Sequence, residues 1–284
     1  MKARRGKVLA GVDRDRKAYA LARGYLLVGF TSLGVTDEVL QHYINPRPLG
    51  REGRTMGEVF HRLLLSARNR NMMAAVIPDT FVDSLGPLLD DFTPAEVAQR
   101  FVSADHLLDT IIKELKPAGK VRRLRGGLWP LFTRATLSGA RFLAQFASGP
   151  EFIEWVQTFD DDPRKRVALP MLLSEEIDGF GFALACDFLK ELGFLNFAKP
   201  DVHVKAIVTG LGLSAASAND YAVFNAVARI AASCNTTPYD VDKLFWLVGS
   251  GRLYDHPSIG RQERIATNRD RFIRESKKAL GPAA

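Results

Sequence analysis

IDGFGFALACDFLKELGFLNFAKPDVHV, residues 177–204, is the stretch on which the fold turns. Leu172 to Ile177 reads as the end of one helix and Phe182 to Leu192 as the next, because Leu184, Phe188 and Leu192 recur at helical spacing and Gly193 then stops the pattern. Only Gly179-Phe180-Gly181 separates the two, which predicts a tight hairpin of helices over about 172–193. Glycines on both sides permit positive φ and put no Cβ in front of the backbone, so an anion can approach the amides that open the second helix. Phe180 is expected to turn inward and hold the helices together. An isolated Gly-x-Gly is also simply a helix connection. Twenty positions after Gly181, Asp201 follows Pro200 and opens a further helix ending near Gly210. A carboxylate there is an ordinary N-cap, and it is also a fixed negative charge able to stabilise a positive one.

The rest of the chain carries the same helical punctuation. Thr55 with Glu58, and Thr93 with Glu96, have capping-box spacing, and each precedes apolar residues at helical intervals: Val59, Phe60, Leu63 and Leu64, then Val97 and Phe101. Ser103 and Pro150 open two more segments, and Thr237-Pro238 starts a helix that Gly249 is expected to end. No run of alternating β-branched residues, no fixed-period repeat and no sustained heptad is visible. Loops are expected at 45–50, at Gly126-Gly127, at 160–166 and over 251–260. About ten helices and an all-α fold follow.

Composition excludes several classes. With 284 residues, 46% hydrophobic and 25% charged, the chain can bury a substantial core. Two cysteines, Cys186 and Cys234, are too few for a four-thiolate cluster and lack zinc-type spacing, so no metal is expected from side chains. No apolar run is long enough for a membrane span, and no membrane partner is expected. The net charge of +7 favours a polyanionic partner. Between Lys113 and Arg141 eight basic residues stand against one acid, Glu114, with Trp129 and Phe132 among them. Such a run is either a solvated face or a DNA-facing surface, and the two aromatics are expected in the core, with base stacking as the alternative.

The Gly179-Phe180-Gly181 hairpin followed by Asp201 in a Pro-Asp-Val-His context resembles the helix-hairpin-helix DNA glycosylase superfamily, whose members include endonuclease III and the 8-oxoguanine glycosylases. The resemblance covers 170–212 well and extends more weakly to LLLSARNRN, 63–71. It implies a two-lobe helical protein, with 55–198 as the lobe ending in the hairpin, 1–54 plus 199–284 as the other, and a cleft at the junction. It implies that Gly179, Phe180, Gly181 and Ala183 contact double-stranded DNA and that Asp201 stabilises the oxocarbenium-like sugar formed as a base departs. Arg68, Asn69 and Asn71 become the residues that fill the space left by an extruded base, and His203 and Lys205 become supporting neighbours of Asp201.

Two departures carry meaning. Bifunctional relatives carry a lysine at the position of Ala183, so a monofunctional hydrolase without strand cleavage is implied unless Lys190, Lys199 or Lys205 supplies the amine. The hairpin begins Ile-Asp, which puts Asp178 near the expected phosphate. No cofactor is implied beyond the option of a monovalent cation on the hairpin carbonyls. The expected form is a monomer in the cytoplasm, associated with the nucleoid, or in the nucleus. The rival expectations are a non-enzymatic hairpin protein that only binds DNA, and a helical protein-interaction domain.

Overall fold

The computed structural model describes residues 2–44, 53–70, 73–253 and 266–282, and the side chains of all of these except 2–10, 73 and 74. Asn71, loop 45–50 and most of loop 251–260 lie outside the described residues. Every regular element among the described residues is helical: α1 (Lys2–Gly29), α2 (Asp37–Ile44), α3 (Met56–Ala67), α4 (Met73–Val76), α5 (Asp79–Asp83), α6 (Pro94–Arg100), α7 (Ala104–Leu115), α8 (Leu128–Leu143), α9 (Gly149–Asp160), α10 (Pro163–Arg166), α11 (Ala168–Glu176), α12 (Phe182–Glu191), α13 (Val202–Gly210), α14 (Asp220–Cys234), α15 (Pro238–Ser250) and α16 (Arg269–Leu280). Short 3-10 turns stand at Thr31–Leu33 and Gly86–Leu89. The fold is all-α. Helices outnumber the ten expected, in part because α4, α5 and α10 span only four or five residues, too few for an apolar period to register.

The chain forms two compact units, 49–194 and 1–48 with 195–284. In the first, α8 is the central helix. Eleven of its sixteen residues are buried, and α3, α6 and α7 pack around it. Gly139 lets α3 come close, since a Cβ there would lie 2.9 Å from Leu63 Cδ2. Trp129 and Phe132 are core residues, Trp129 edge-on to Phe81 with centroids 5.2 Å apart, which removes the stacking alternative. Phe152, Trp155 and Phe188 continue the aromatic core, and each fully buried Phe contributes about 2–3 kcal/mol of transfer free energy.

In the second unit α15 is central, with α1, α2, α13, α14 and α16 packed against it. Gly249 sits inside the last turn of α15, where a Cβ would meet His203 Cβ at 2.5 Å, so it is a contact glycine and does not end the helix. The stop is Gly251, left-handed at φ +68. Asp15 of α1 is buried and takes a forked pair of bonds from Arg229 of α14, Nε to Oδ2 at 2.8 Å and Nη2 to Oδ1 at 3.0 Å. Arg14 reaches the carbonyls of Leu211 at 2.8 Å and Gly281 at 3.0 Å, tying α1 to both C-terminal segments.

Two local expectations need correction. Thr55 and Glu58 make the full capping box, whereas Thr93 makes no side-chain cap. Asp90, Asp91 and Phe92 are all left-handed, and the turn they form commits the Thr93 N–H to the carbonyls of Leu89 and Asp90, leaving Glu96 no donor to reach back to. Residues 160–166 are the end of α9 and the short α10 rather than a loop, because Asp162 caps Arg164 N–H and the Arg166 guanidinium pairs with buried Asp160.

Candidate nucleic-acid interface

Helices α11 and α12 pack on each other as a hairpin, joined by residues 177–181. The two glycines differ. Gly179 has φ +79 and packs on α8, a Cβ there coming 3.2 Å from the Leu131 carbonyl oxygen. Gly181 has φ −77, caps α12, and faces open space on the side where a Cβ would stand. The positive φ expected at both holds only for Gly179. Neither backbone strain nor packing demands glycine at 181, and no side chain stands at this position before the first turn of α12. No side chain caps this helix, and the N–H groups of Gly181 and Ala183 meet no acceptor among the described residues. Phe180 points inward, 1% exposed, against Phe188, so the turn offers its backbone and not its ring.

The hairpin is held by the residues that follow α3. Asn69 donates from Nδ2 to Asp187 Oδ2 of α12 at 2.9 Å, and Arg70 donates from Nη1 to the Gly179 carbonyl at 2.9 Å. Any monovalent cation on the hairpin carbonyls would share the Gly179 oxygen with this guanidinium. Arg68 is 14% exposed, ion-paired with Asp79 and bonded to the Ile77 carbonyl. Of the three side chains expected to fill a vacated base position, Arg68 and Asn69 are therefore occupied within the unit, and Asn71 lies outside the described residues. Arg70, which no spacing in the sequence singles out, is the one that touches the turn.

Asp178 is engaged with α8. Its carboxylate lies 2.9 Å from Arg134 Nε of α8, a charge contact rather than an aligned hydrogen bond, and its N–H donates to Ser138 Oγ at 2.9 Å. The positive charge of Arg134 thus neutralises the one acid in the turn.

Asp201 belongs to the other unit, where it caps α13. Its Oδ1 accepts from the N–H groups of His203 and Val204, both at 2.9 Å. Its Oδ2 has no hydrogen bond or ion pair among the described residues, and the residue is half-buried. Local sequence explains this. Pro200 supports a γ-turn in which Asp201 N–H donates to the Lys199 carbonyl at 2.8 Å, presenting the carboxylate to the helix amides. His203 packs over Gly249, and Lys205 pairs with Asp220 at 2.5 Å. Lys190 is 5% exposed with Asp187 Oδ1 4.0 Å away. Lys199 N–H donates to buried Asp242.

Among the described residues no group of three or more His, Cys, Asp or Glu forms a metal site, and no helix is long and apolar enough to cross a membrane. A groove of about 420 Å³ between α1 and α16, lined by Leu21, Tyr25, Val28 and Phe272, includes neither Asp201 nor the hairpin. No family model, curated protein or solved structure matches the chain.

Proposed function

We propose that the chain is a monofunctional DNA glycosylase of helix-hairpin-helix type, acting as a monomer on a base extruded from duplex DNA. The observation that carries this proposal is the division of labour within one carboxylate. Asp201 Oδ1 is fixed by two helix amides while Oδ2 is unengaged, so a negative charge is held in place without being used up. Cleavage of the C1′–N bond sends its electron pair out with the base and leaves positive charge on the sugar. Asp201 stabilises that charge, and its Oδ2 accepts a proton from the water whose oxygen then bonds C1′. Preorganised electrostatics of this kind is worth about 3–4 kcal/mol of barrier per group. The hairpin supplies a grip on DNA: the amides of Gly181 and Ala183 receive a backbone phosphate. Ala183 has no amine, buried Lys190 stands beside Asp187, and Lys205 is paired with Asp220, which supports hydrolysis without strand cleavage.

The test is base release from duplexes carrying alkylated, oxidised or deaminated bases, followed by alkali to reveal abasic sites. Native chain active and Asp201→Asn inactive is the expected result; equal release by both ends the proposal. The second reading, DNA binding without catalysis, is favoured by the same two amide bonds, which are all that an ordinary N-cap needs. Salt-dependent binding with no base released from any duplex would select it.

A further inference from the structure

Residues 116–127, between α7 and α8, form an irregular and largely exposed segment. It contains Lys116, Lys120, Arg122, Arg123 and Arg125 and no acid. Arg123 pairs with Asp109, whereas Lys120, Arg122 and Arg125 make no hydrogen bond or ion pair among the described residues. Uncompensated cations this close repel one another, and a partner rich in phosphate relieves that repulsion. In their midst stands Leu124, 72% exposed, a large apolar side chain flanked by arginines.

The tip is a built turn. Gly127 N–H donates to the Leu124 carbonyl at 2.6 Å, and a Cβ at 127 would lie 2.9 Å from that oxygen and 3.0 Å from the Arg122 carbonyl. The glycine at 127 is thus required by the turn, and the turn fixes where Leu124 leaves the backbone. The segment also borders the hairpin. Helix α8 starts at Leu128, and its first turns supply Leu131, whose carbonyl backs Gly179, and Arg134, which pairs with Asp178. Four residues of helix, about 6 Å of rise, separate Gly127 from Leu131.

We infer that this segment is a second DNA contact, in which Lys120, Arg122 and Arg125 hold phosphates and Leu124 enters the base stack. An apolar wedge between flanking cations opens a base step from the minor-groove side. The side chain that takes the place of an extruded base is then Leu124, not Arg68 or Asn69, both engaged elsewhere. This inference rests on the DNA reading but needs no catalysis.

The experiment uses the full chain and a duplex with a tetrahydrofuran abasic analogue, which cannot be cleaved by a glycosylase, and 2-aminopurine as the neighbouring base. Native protein is expected to raise 2-aminopurine fluorescence several-fold on binding. Leu124→Ala should bind within about threefold, with an unchanged salt slope, and lose most of the fluorescence rise; the side chain is exposed, so folding is unaffected. Replacing Lys120, Arg122 and Arg125 together by Ser should reduce the slope of log K against log salt by about 3. A fluorescence rise that survives Leu124→Ala, a salt slope indifferent to the triple change, tighter binding of an RNA duplex of the same sequence, or no duplex binding at all would each overturn the inference. Base release, measured separately with Asp201→Asn, reports on the glycosylase proposal alone. An intact wedge signal without excision removes the enzyme and keeps the wedge, and excision untouched by Leu124→Ala does the reverse.

Discussion

Arg70 and Gly179 stand 109 positions apart in the chain and are joined by a single hydrogen bond of 2.9 Å from guanidinium to carbonyl. Because Gly179 is the left-handed residue of the hairpin, this bond anchors the point at which α11 turns into α12.

Truncation of that anchor should be measurable. Arg70→Ala is expected to cost about 1–2 kcal/mol, the lower part of the range for a hydrogen bond from a charged donor, since the site is only partly buried. Arg70→Lys keeps the charge but not the planar fork and should fall between. Urea titration of the variants checks both, and an unchanged midpoint for Arg70→Ala rules out a structural role for the bond.

The paired glycines should respond in opposite ways. Gly179→Ala forces a Cβ into the left-handed region and toward the Leu131 carbonyl, at a cost of about 1–2 kcal/mol. Gly181→Ala needs no unusual φ and meets open space, so its effect should stay below about 1 kcal/mol, the difference between the two residues as N-caps. Gly181→Leu should fold yet bind duplex DNA at least tenfold more weakly, because its side chain screens the amides of α12. Thermal melts and DNA titrations separate the outcomes, and full DNA affinity in Gly181→Leu would remove the hairpin from the interface.

Capping and charge can be told apart at Asp201. Asparagine accepts the same two amide bonds, so Asp201→Asn should melt within a few degrees of native, whereas Asp201→Ala should lose about 1 kcal/mol. Both should lower base release by about 10² or more, the scale for loss of one electrostatic group. Activity that tracks stability across the pair, rather than charge, would leave the carboxylate a cap and nothing else.

The pH dependence of Cys234 follows from its surroundings. Burial raises its pKa, the Asp15 carboxylate raises it further, and Arg16 opposes both. The native thiol keeps its proton where the unfolded thiol has begun to ionise. Its contribution to stability is therefore complete below the ordinary thiol value and is lost as pH climbs to the raised native one. Alkylation by iodoacetamide, followed peptide by peptide, should show a midpoint above that of a free thiol, moving down in Asp15→Asn. A midpoint that ignores Asp15 would deny that carboxylate any influence on the thiol.

What could be read from sequence was local. The Thr55 box needs only residues three apart, and the Phe188 and Leu192 stripe needs only helical spacing; both are present. Thr93 misled because its N–H is spent on a left-handed turn that nothing in Thr-Pro-Ala-Glu announces. Gly249 misled for a different reason: a glycine near a helix end reads as a stop, yet this one is small so that His203, 46 positions earlier in the sequence, can lie against it. The hairpin turn was legible from its two glycines, but its supports were not. Asn69 to Asp187 spans 118 positions, and no periodicity links residues so far apart. The exposed segment 116–127 was visible as charge, and as a loop only at Gly126-Gly127, since Lys and Arg from 116 to 125 suit a solvated helix equally well.

Unit 49–194 is one uninterrupted piece of chain, while its counterpart needs Arg14 of α1 to reach the carbonyls of Leu211 and Gly281. During synthesis the contiguous piece has all its partners in hand once residue 194 has emerged, and it can fold on the ribosome. Helix α1 must wait, its apolar face uncovered, for the closing segments to be made. The order of assembly is thereby written into the chain's path, and a nascent protein halted shortly after residue 194 would be half native and in need of a chaperone for residues 1–48.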